Sequence, residues 1–177
     1  MERYIRMLLI TGMPGAGKEE VIRILMSHGY EVRRMGDVVR EAAAAEGIEP
    51  DMIGEFSTKQ REKYGPYVWA ERTAERVSDP EMTVIDGVRS LEEVEIFRKK
   101  GDVVIIGVHA SPKTRYERLM RRARGDESDS IEKIRRREIR ELGWGLGNVI
   151  AMADVMIINE GTLDDLREHV EKVLSRI

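Results

Sequence analysis

Residues 8–20 read Leu8-Leu9-Ile10-Thr11-Gly12-Met13-Pro14-Gly15-Ala16-Gly17-Lys18-Glu19-Glu20 and decide the fold of this chain. A short apolar run leads into a glycine, four residues intervene, and Gly-Lys follows before a helical pattern begins. The glycines allow backbone conformations that other residues avoid, so that backbone N–H groups can approach phosphate oxygens. The lysine adds a positive charge, and the positive end of the following helix lies at the same place. This spacing predicts a loop that binds the phosphates of a nucleotide, with candidate ligands Gly12, Met13, Pro14, Gly15, Ala16, Gly17, Lys18, Glu19 and Glu20.

Glu19 departs from the general pattern of such loops. A Ser or Thr hydroxyl normally contacts Mg²⁺ at this position. Three interpretations are open: Glu19 points away, it joins the metal shell through water, or it lowers the affinity for triphosphate. The first is favoured, because phosphate repels a carboxylate.

The composition of the chain limits its possible functions. Its 177 residues are enough for one domain with a core, and we expect residues 1–177 to form one. Net charge is only −3, with 36% charged residues, which gives no general argument for nucleic-acid binding. There is no cysteine and there are only three histidines, which disfavours thiol chemistry and a histidine-based metal site. We recognise no signal peptide and no membrane-spanning run, so we expect a cytoplasmic protein without a membrane partner.

Five apolar segments alternate with helical patterns along the chain. The segments are residues 5–11, 30–35, 82–85, 102–108 and 154–158. Such alternation predicts an α/β fold with a five-stranded parallel sheet covered by helices on both faces. Ligands of these sheets bind beyond the carboxyl ends of the strands. We therefore expect the loop, Asp86–Arg89, His109 and Asn159 to lie on one rim of the sheet.

Local signals predict where several helices begin, break or end. Gly65-Pro66 predicts a break in the helical stretch 51–77, and Gly143-Trp144-Gly145 predicts a bend. Ser90 with Glu93, and Thr162 with Asp165, predict caps at the starts of two helices.

Four ordered motifs carry a resemblance to a known family. The loop Gly12–Lys18 resembles the G-x-P-G-x-G-K-G-T loop of adenylate kinases. Gly36-Asp37-Val38-Val39-Arg40 is similar to their G-D-L-L-R segment, and Asp86-Gly87-Val88-Arg89 to their D-G-F-P-R segment. Arg118-Leu119-Met120-Arg121-Arg122 is similar to the R-L-x-x-R that opens the lid of these enzymes. The chain thus resembles the nucleoside-monophosphate-kinase-like P-loop branch, and also a group of archaeal P-loop proteins related to adenylate and dephospho-CoA kinases.

The resemblance implies an architecture and a set of roles. It implies a P-loop three-layer fold with a small helical acceptor-binding insertion at about residues 37–77. A short arginine-rich lid would span about residues 118–137. Gly36, Asp37, Arg40 and Arg89 would bind the acceptor, with both arginines on its phosphate. Adenylate kinases have Gly rather than a hydroxyl after the loop lysine and reach Mg²⁺ largely through water, which makes the loss of Ser or Thr less damaging here.

The remaining candidates are weighed residue by residue. Phosphoryl transfer needs positioning and positive charge more than a protein nucleophile, so Lys18, Arg118 and Arg122 are the predicted catalytic cations. Asp86, at a strand end, is predicted to take part in catalysis by holding Mg²⁺ through water. Asn159 is predicted to contact the adenine of ATP or to cap a turn.

Other conspicuous side chains are interpreted mainly as structural. Arg124 and Arg135-Arg136-Arg137 are weaker candidates than the arginines matched by motif. Trp69 and Trp144 could stack on a base, but packing against the sheet is favoured.

The function favoured by these observations is phosphotransfer from MgATP to a small phosphorylated acceptor, with Mg²⁺ as the cofactor. A nucleoside monophosphate, AMP foremost, is the leading acceptor. Dephospho-CoA is the alternative, since its kinases share this architecture. A second class of function is a nucleotide-responsive ATPase or regulatory binding protein whose partner is a macromolecule. RNA binding is disfavoured, because the basic segments lack interleaved aromatic residues. The sequence leaves the oligomeric state open.

Overall fold

A five-stranded parallel sheet forms the middle layer of this protein, whose computed structural model describes residues 6–122 and 127–177. The strand order is β2-β3-β1-β4-β5. The strands are β1 Met7–Thr11, β2 Glu31–Arg34, β3 Thr83–Asp86, β4 Val103–His109 and β5 Val155–Ile158. The predicted parallel sheet is confirmed, and the observed strand bounds lie within a few residues of those expected. The predicted strand start at residue 5 lies outside the described residues.

Helices cover both faces of the sheet. They are α1 Lys18–Ser27, α2 Met35–Ala45, α3 Ile53–Tyr64, α4 Val68–Ala74, α5 Leu91–Arg98, α6 Pro112–Arg122, α7 Glu127–Gly143, α8 Leu146–Ala151 and α9 Leu163–Leu174. Short 3₁₀ turns, Pro50–Met52 and Pro80–Met82, precede α3 and β3. The predicted interruption at Gly65-Pro66 separates α3 from α4. Helix α8 was not predicted, and it lies between α7 and β5.

Successive residues of the central strand β1 face opposite sides of the sheet. Met7 and Leu9 belong to a core that includes Trp69 and Phe97, while Leu8 belongs to the opposite core beneath α1 and α9. All of these side chains are almost completely buried. Burial on both faces explains why the strands read as continuous apolar runs rather than as alternating patterns. Trp69 lies in the core, as expected.

Two helix starts test the predicted capping residues. Thr162 and Asp165 form the complete capping box expected at α9. At α5 the Ser90 hydroxyl accepts the Glu93 N–H as predicted, but the Glu93 carboxylate accepts the Arg89 N–H at 2.6 Å. The box at α5 is therefore only half formed. Across the described part of the chain, none of the helices has the length and apolarity needed to span a bilayer.

Candidate active site

The predicted phosphate-binding loop connects β1 to α1 at the carboxyl edge of the sheet. Two of its glycines occupy positions that only glycine suits. Gly12 has a φ of 148°, and a Cβ there would overlap the backbone carbonyl of Val108 in β4. Gly17 has a φ of 97°, and a Cβ there would overlap the amide of Asn159. The loop is thus packed directly against the ends of β4 and β5, which fixes its backbone in one conformation.

Lys18 begins α1 and folds back over the loop. Its Nζ donates to the carbonyl oxygens of Gly12 at 2.7 Å and Met13 at 3.2 Å. Burial lowers the pKa of Lys18 to about 8, although the neighbouring Asp86 and Glu141 carboxylates act in the opposite direction. The ammonium group lies beside the loop backbone and is largely removed from water. An anionic ligand bound there would stabilise its positive charge.

Asn159 and Arg118 hold the far side of the loop. Asn159 is buried, and its Nδ2 donates to the carbonyl of Ala16 at 2.9 Å. Arg118 donates from Nη2 to the Asn159 carbonyl at 2.9 Å and from Nη1 to the Ala16 carbonyl at 3.4 Å. The structure thus places both predicted residues against the loop backbone. In the structure Asn159 holds the loop rather than capping a turn.

Arg115 is a loop contact that the sequence did not reveal. Its Nη1 donates to the Pro14 carbonyl at 3.0 Å and also pairs with Glu138 of α7. Both side chains are nearly buried, at 6% and 11% exposure. Tyr116 donates to the same Glu138 carboxylate at 2.6 Å. This pair connects α6, α7 and the loop, so the position of the arginine-rich helices is coupled to that of the phosphate site.

Glu19 forms an ion pair with Arg34, a residue that the sequence did not indicate as part of the site. Its Oε1 lies 2.8 Å from Nη2 of Arg34, the last residue of β2. The Nε of Arg34 is also 4.0 Å from Oδ2 of Asp86, its register partner in β3. Glu20 pairs instead with Arg23 on the exposed face of α1. The carboxylate in the unusual loop position is therefore compensated within the protein.

Asp86 fits the metal role predicted for it. Its Oδ1 is buried without a hydrogen-bond partner among the described residues, which leaves an acceptor for a metal-bound water. Burial raises the pKa of Asp86 above its ordinary value, although the neighbouring Lys18, Arg89 and Arg34 act in the opposite direction. No group of three or more acidic or histidine side chains in residues 6–122 and 127–177 could hold a metal ion alone. A Mg²⁺ ion here would need further ligands, which the phosphate oxygens of a bound nucleotide would supply, and it would neutralise part of their charge.

A basic cleft of about 610 Å³ lies beside the loop. The predicted acceptor residues Gly36, Arg40 and Arg89 line it together, while Asp37 pairs with Arg40 at its edge. Further cations of the cleft come from α7, and they are Lys133, Arg136, Arg137 and Arg140. Arg140 packs its guanidinium on Gly54 at the start of α3, where a Cβ would lie 2.5 Å from Nη2. The excess of cationic side chains makes the cleft suitable for an anionic ligand.

Trp144 corrects an expectation from the sequence. Among the described residues it belongs to neither hydrophobic core of the sheet, and it lines the basic cleft. Three guanidinium groups lie near its ring, with Arg61 at 4.6 Å from the centroid and Arg89 and Arg140 at 5.8 Å each. The sequence could not show this, because these arginines come from α3, the β3–α5 loop and α7. Two of these cations, Arg89 and Arg140, line the cleft, and the ring supports them there.

Arg89 and Glu141 join the loop to the cleft. Both line the cleft, and both also line a small pocket of about 10 Å³ with Gly12 and Lys18. The Nε of Arg89 lies 3.3 Å from Glu141, which also accepts from Arg137 at 2.8 Å. Burial alone would raise the pKa of Glu141, but Arg89 and Arg137 outweigh it and lower that pKa to about 2. Glu141, which was not predicted, thus carries a negative charge between the loop and the cleft.

Some predicted lid residues lie outside what the structure describes. Arg122 ends α6, but its side chain is outside the described set, and Arg124 falls in the undescribed residues 123–126. Arg135, Arg136 and Arg137 lie on α7, where Arg136 and Arg137 line the cleft. The roles proposed for Arg122 and Arg124 remain predictions.

Comparison with known proteins places the chain among P-loop proteins. Residues 8–141 match a family model described as AAA domain. A UPF0200 protein from Hyperthermus butylicus is 45% identical over 174 residues, covering 96% of this chain and 94% of the relative. A UPF0200 protein from Thermoplasma volcanium is 44% identical, covering 95% of this chain and 96% of the relative.

Solved structures share the fold at low identity. A gluconokinase from Sinorhizobium meliloti superposes with a TM-score of 0.65 and 17% identity, covering 99% of this chain and 94% of its own. The protein TT1252 from Thermus thermophilus gives a TM-score of 0.64 and 18% identity, covering 99% of both chains. The three-layer arrangement described above is therefore a P-loop kinase-like fold.

Proposed function

We propose that this chain, which belongs to the AAA-domain family and to the archaeal UPF0200 group, is a P-loop phosphotransferase. It would move the γ-phosphoryl group of MgATP to a small phosphorylated acceptor. One observation carries this proposal: Arg89 and Glu141 line both the pocket beside Lys18 and the basic cleft. A donor site and an anion-binding site that share walls suit the transfer of a phosphoryl group between two bound ligands.

The chemistry assigned to the chain's own residues is mainly electrostatic. In the transfer, an acceptor oxygen forms a bond to the γ-phosphorus while the bond to the oxygen bridging the β- and γ-phosphorus atoms breaks. Lys18 and the loop N–H groups would hold the negative charge that moves onto the β-phosphate of ATP. Arg118 of α6 contacts the carbonyls of Ala16 in the loop and of Asn159, and we propose that it turns toward the donor phosphates when ATP binds. Asp86 would orient water bound to Mg²⁺, which supplies charge neutralisation.

The acceptor we propose is a nucleoside monophosphate, with AMP foremost. Its phosphate would bind between Arg40 and Arg89, which line the same cleft, and its base would lie toward Trp144. Dephospho-CoA is the alternative acceptor, because a volume of about 610 Å³ does not discriminate between the two. Gluconate belongs in the test as well, since a structural neighbour is a gluconokinase.

The test is a coupled assay of ADP release with a panel of nucleoside monophosphates, dephospho-CoA and gluconate. We expect AMP to raise the rate at least about tenfold above that of ATP alone, with ADP formed from both substrates. Arg40→Gln should raise the KM for AMP and leave the KM for ATP unchanged. Arg98→Gln is the matched control, because Arg98 forms an exposed ion pair with the residue three before it, as Arg40 does with Asp37.

A lack of acceptor-dependent ADP release would favour the second class of function, a nucleotide-responsive ATPase or regulatory binding protein. If every acceptor leaves the basal rate unchanged while ATP still binds, phosphotransfer to these acceptors is ruled out. A nucleotide-responsive ATPase or regulatory binding protein would then be the better interpretation, and partners captured with ATP but not with ADP would support it.

A further inference from the structure

Arg34 lies between two carboxylates on the metal side of the proposed phosphate site. Its Nη2 is 2.8 Å from Glu19, the residue after the loop lysine, and its Nε is 4.0 Å from Asp86. Because β2 and β3 pair in parallel with Arg34 opposite Asp86, the backbone register fixes this arrangement. All three side chains are partly buried, with exposures of 28%, 41% and 21% for Arg34, Glu19 and Asp86. Water therefore screens the charges less than it would on the open surface.

We propose that Arg34 is an internal counter-ion that keeps divalent metal out of the site until a nucleotide brings it. This inference rests on the proposed function, because it concerns the Mg²⁺ that accompanies ATP. Glu19 and Asp86 would together attract a divalent cation, since both are anionic oxygen ligands of the kind that Mg²⁺ and Mn²⁺ prefer. Arg34 neutralises them and repels a second cation. Nucleotide phosphates add enough negative charge for the metal and the guanidinium to be accommodated together.

The role of Glu19 follows from the same arrangement. In a loop without Arg34, a carboxylate beside the phosphates would repel ATP. Here its charge is held at 2.8 Å by a guanidinium that also approaches Asp86, so Glu19 orients Arg34 toward the metal side. The buried Oδ1 of Asp86 has no hydrogen-bond partner among the described residues, so it would be available to a water of the arriving metal. Glu19 is thus a positioning residue, and Arg34 determines when metal binds.

The experiment measures Mn²⁺ binding by electron paramagnetic resonance in the absence of nucleotide. We expect weak binding to the wild-type protein and at least about tenfold tighter binding to Arg34→Gln, because one repelling charge is removed. Arg34→Lys keeps the charge and should behave as the wild type. Arg33→Gln is the matched control: Arg33 has the same 28% exposure on the same strand but pairs with Glu31. Thermal unfolding of each variant verifies that it is folded.

Two results would overturn the proposal. One is an equal Mn²⁺ affinity for wild type and folded Arg34→Gln. The other is a gain that persists in the double variant Arg34→Gln/Glu19→Gln, since removing one carboxylate should return the affinity toward that of the wild type. Binding of MgATP is measured separately by calorimetry. If MgATP does not bind while the Mn²⁺ gain is present, the proposed phosphotransfer fails, and Arg34 still acts as the counter-ion that excludes free metal.

Discussion

The low pKa of Lys18 predicts that nucleotide binding takes up a proton in alkaline solution. Burial lowers the pKa of Lys18 to about 8, with further lowering by Arg89 and Arg137, while Asp86 and Glu141 raise it. A bound triphosphate would stabilise the charged ammonium and move its pKa back above 10 or so. In moderately alkaline solution Lys18 is therefore partly deprotonated in the free protein but protonated in the complex with nucleotide.

The size of the effect follows from that pKa. At pH 7 the Lys18 ammonium of the free protein is about 90% protonated, so binding takes up about 0.1 proton. At pH 9 it is about 10% protonated, and binding takes up about 0.9 proton. The affinity for MgATP should accordingly be about tenfold weaker at pH 9 than at pH 7. Without nucleotide, the stability of the protein should change with pH in the opposite direction from the affinity for MgATP. Lys18 binds its proton more tightly in the unfolded chain, with a pKa of 10.5, than in the folded protein. The free energy of unfolding should therefore rise between pH 8 and pH 10.5.

Isothermal titration calorimetry measures the proton uptake directly. Titrations of MgATP in two buffers with different ionisation enthalpies give the number of protons taken up at each pH. Lys18→Arg is the control, because a guanidinium stays charged throughout this range and its binding should show no such increase. Equal proton uptake by the wild type at pH 7 and pH 9 would refute the reasoning, and so would an equal increase in Lys18→Arg.

Three substitutions test other contacts of the site. Arg115→Met should lower the free energy of unfolding in urea by about 3–5 kcal/mol, because it leaves the buried Glu138 carboxylate without its cation. A loss below 1 kcal/mol or so would contradict the buried pair. Gly54→Ala should raise the KM for the acceptor and spare ATP affinity, since the new Cβ displaces only the flexible Arg140 side chain; an unchanged acceptor KM would argue against the role of Arg140. Gly12→Ala should abolish ATP binding by calorimetry, because the Cβ meets backbone that cannot move aside; retained affinity would show that the loop is not packed as described.

The features predicted from sequence are those whose signals are local. The loop between Gly12 and Lys18 has a fixed spacing, and its strand-loop-helix context lies in the same twenty residues. The capping box at Thr162 and the helix break at Gly65-Pro66 depend on residues that are neighbours in the chain. Doubly buried strands appear as apolar runs, so the parallel sheet could be expected from their alternation with helices. Short-range physics determines each of these features.

The contacts that were missed depend on tertiary register. Arg34 lies near Asp86 because β2 pairs with β3, although 52 positions separate the two residues in the chain. Arg115 meets Glu138 across the α6–α7 contact, and nothing in the spacing of either helix distinguishes that pair from exposed charges. Helix α8 has only six residues and follows Gly145 in a left-handed conformation, so the glycine-rich stretch looked like a bend. For Arg34 and Arg115, the charges are visible in the sequence, but the packing of the fold determines their partners.

Glu141 relates the two halves of the proposed site to each other. It is 5% exposed, it keeps its charge because its pKa is about 2, and it pairs with Arg89 and Arg137. The same carboxylate raises the pKa of Lys18, so it supports the charged ammonium that the donor phosphates require. An anionic acceptor that draws Arg89 and Arg137 toward itself would leave more of the negative charge of Glu141 acting on Lys18. Acceptor binding would then favour the charged Lys18, and the proton uptake measured with MgATP should decrease when the acceptor is already bound.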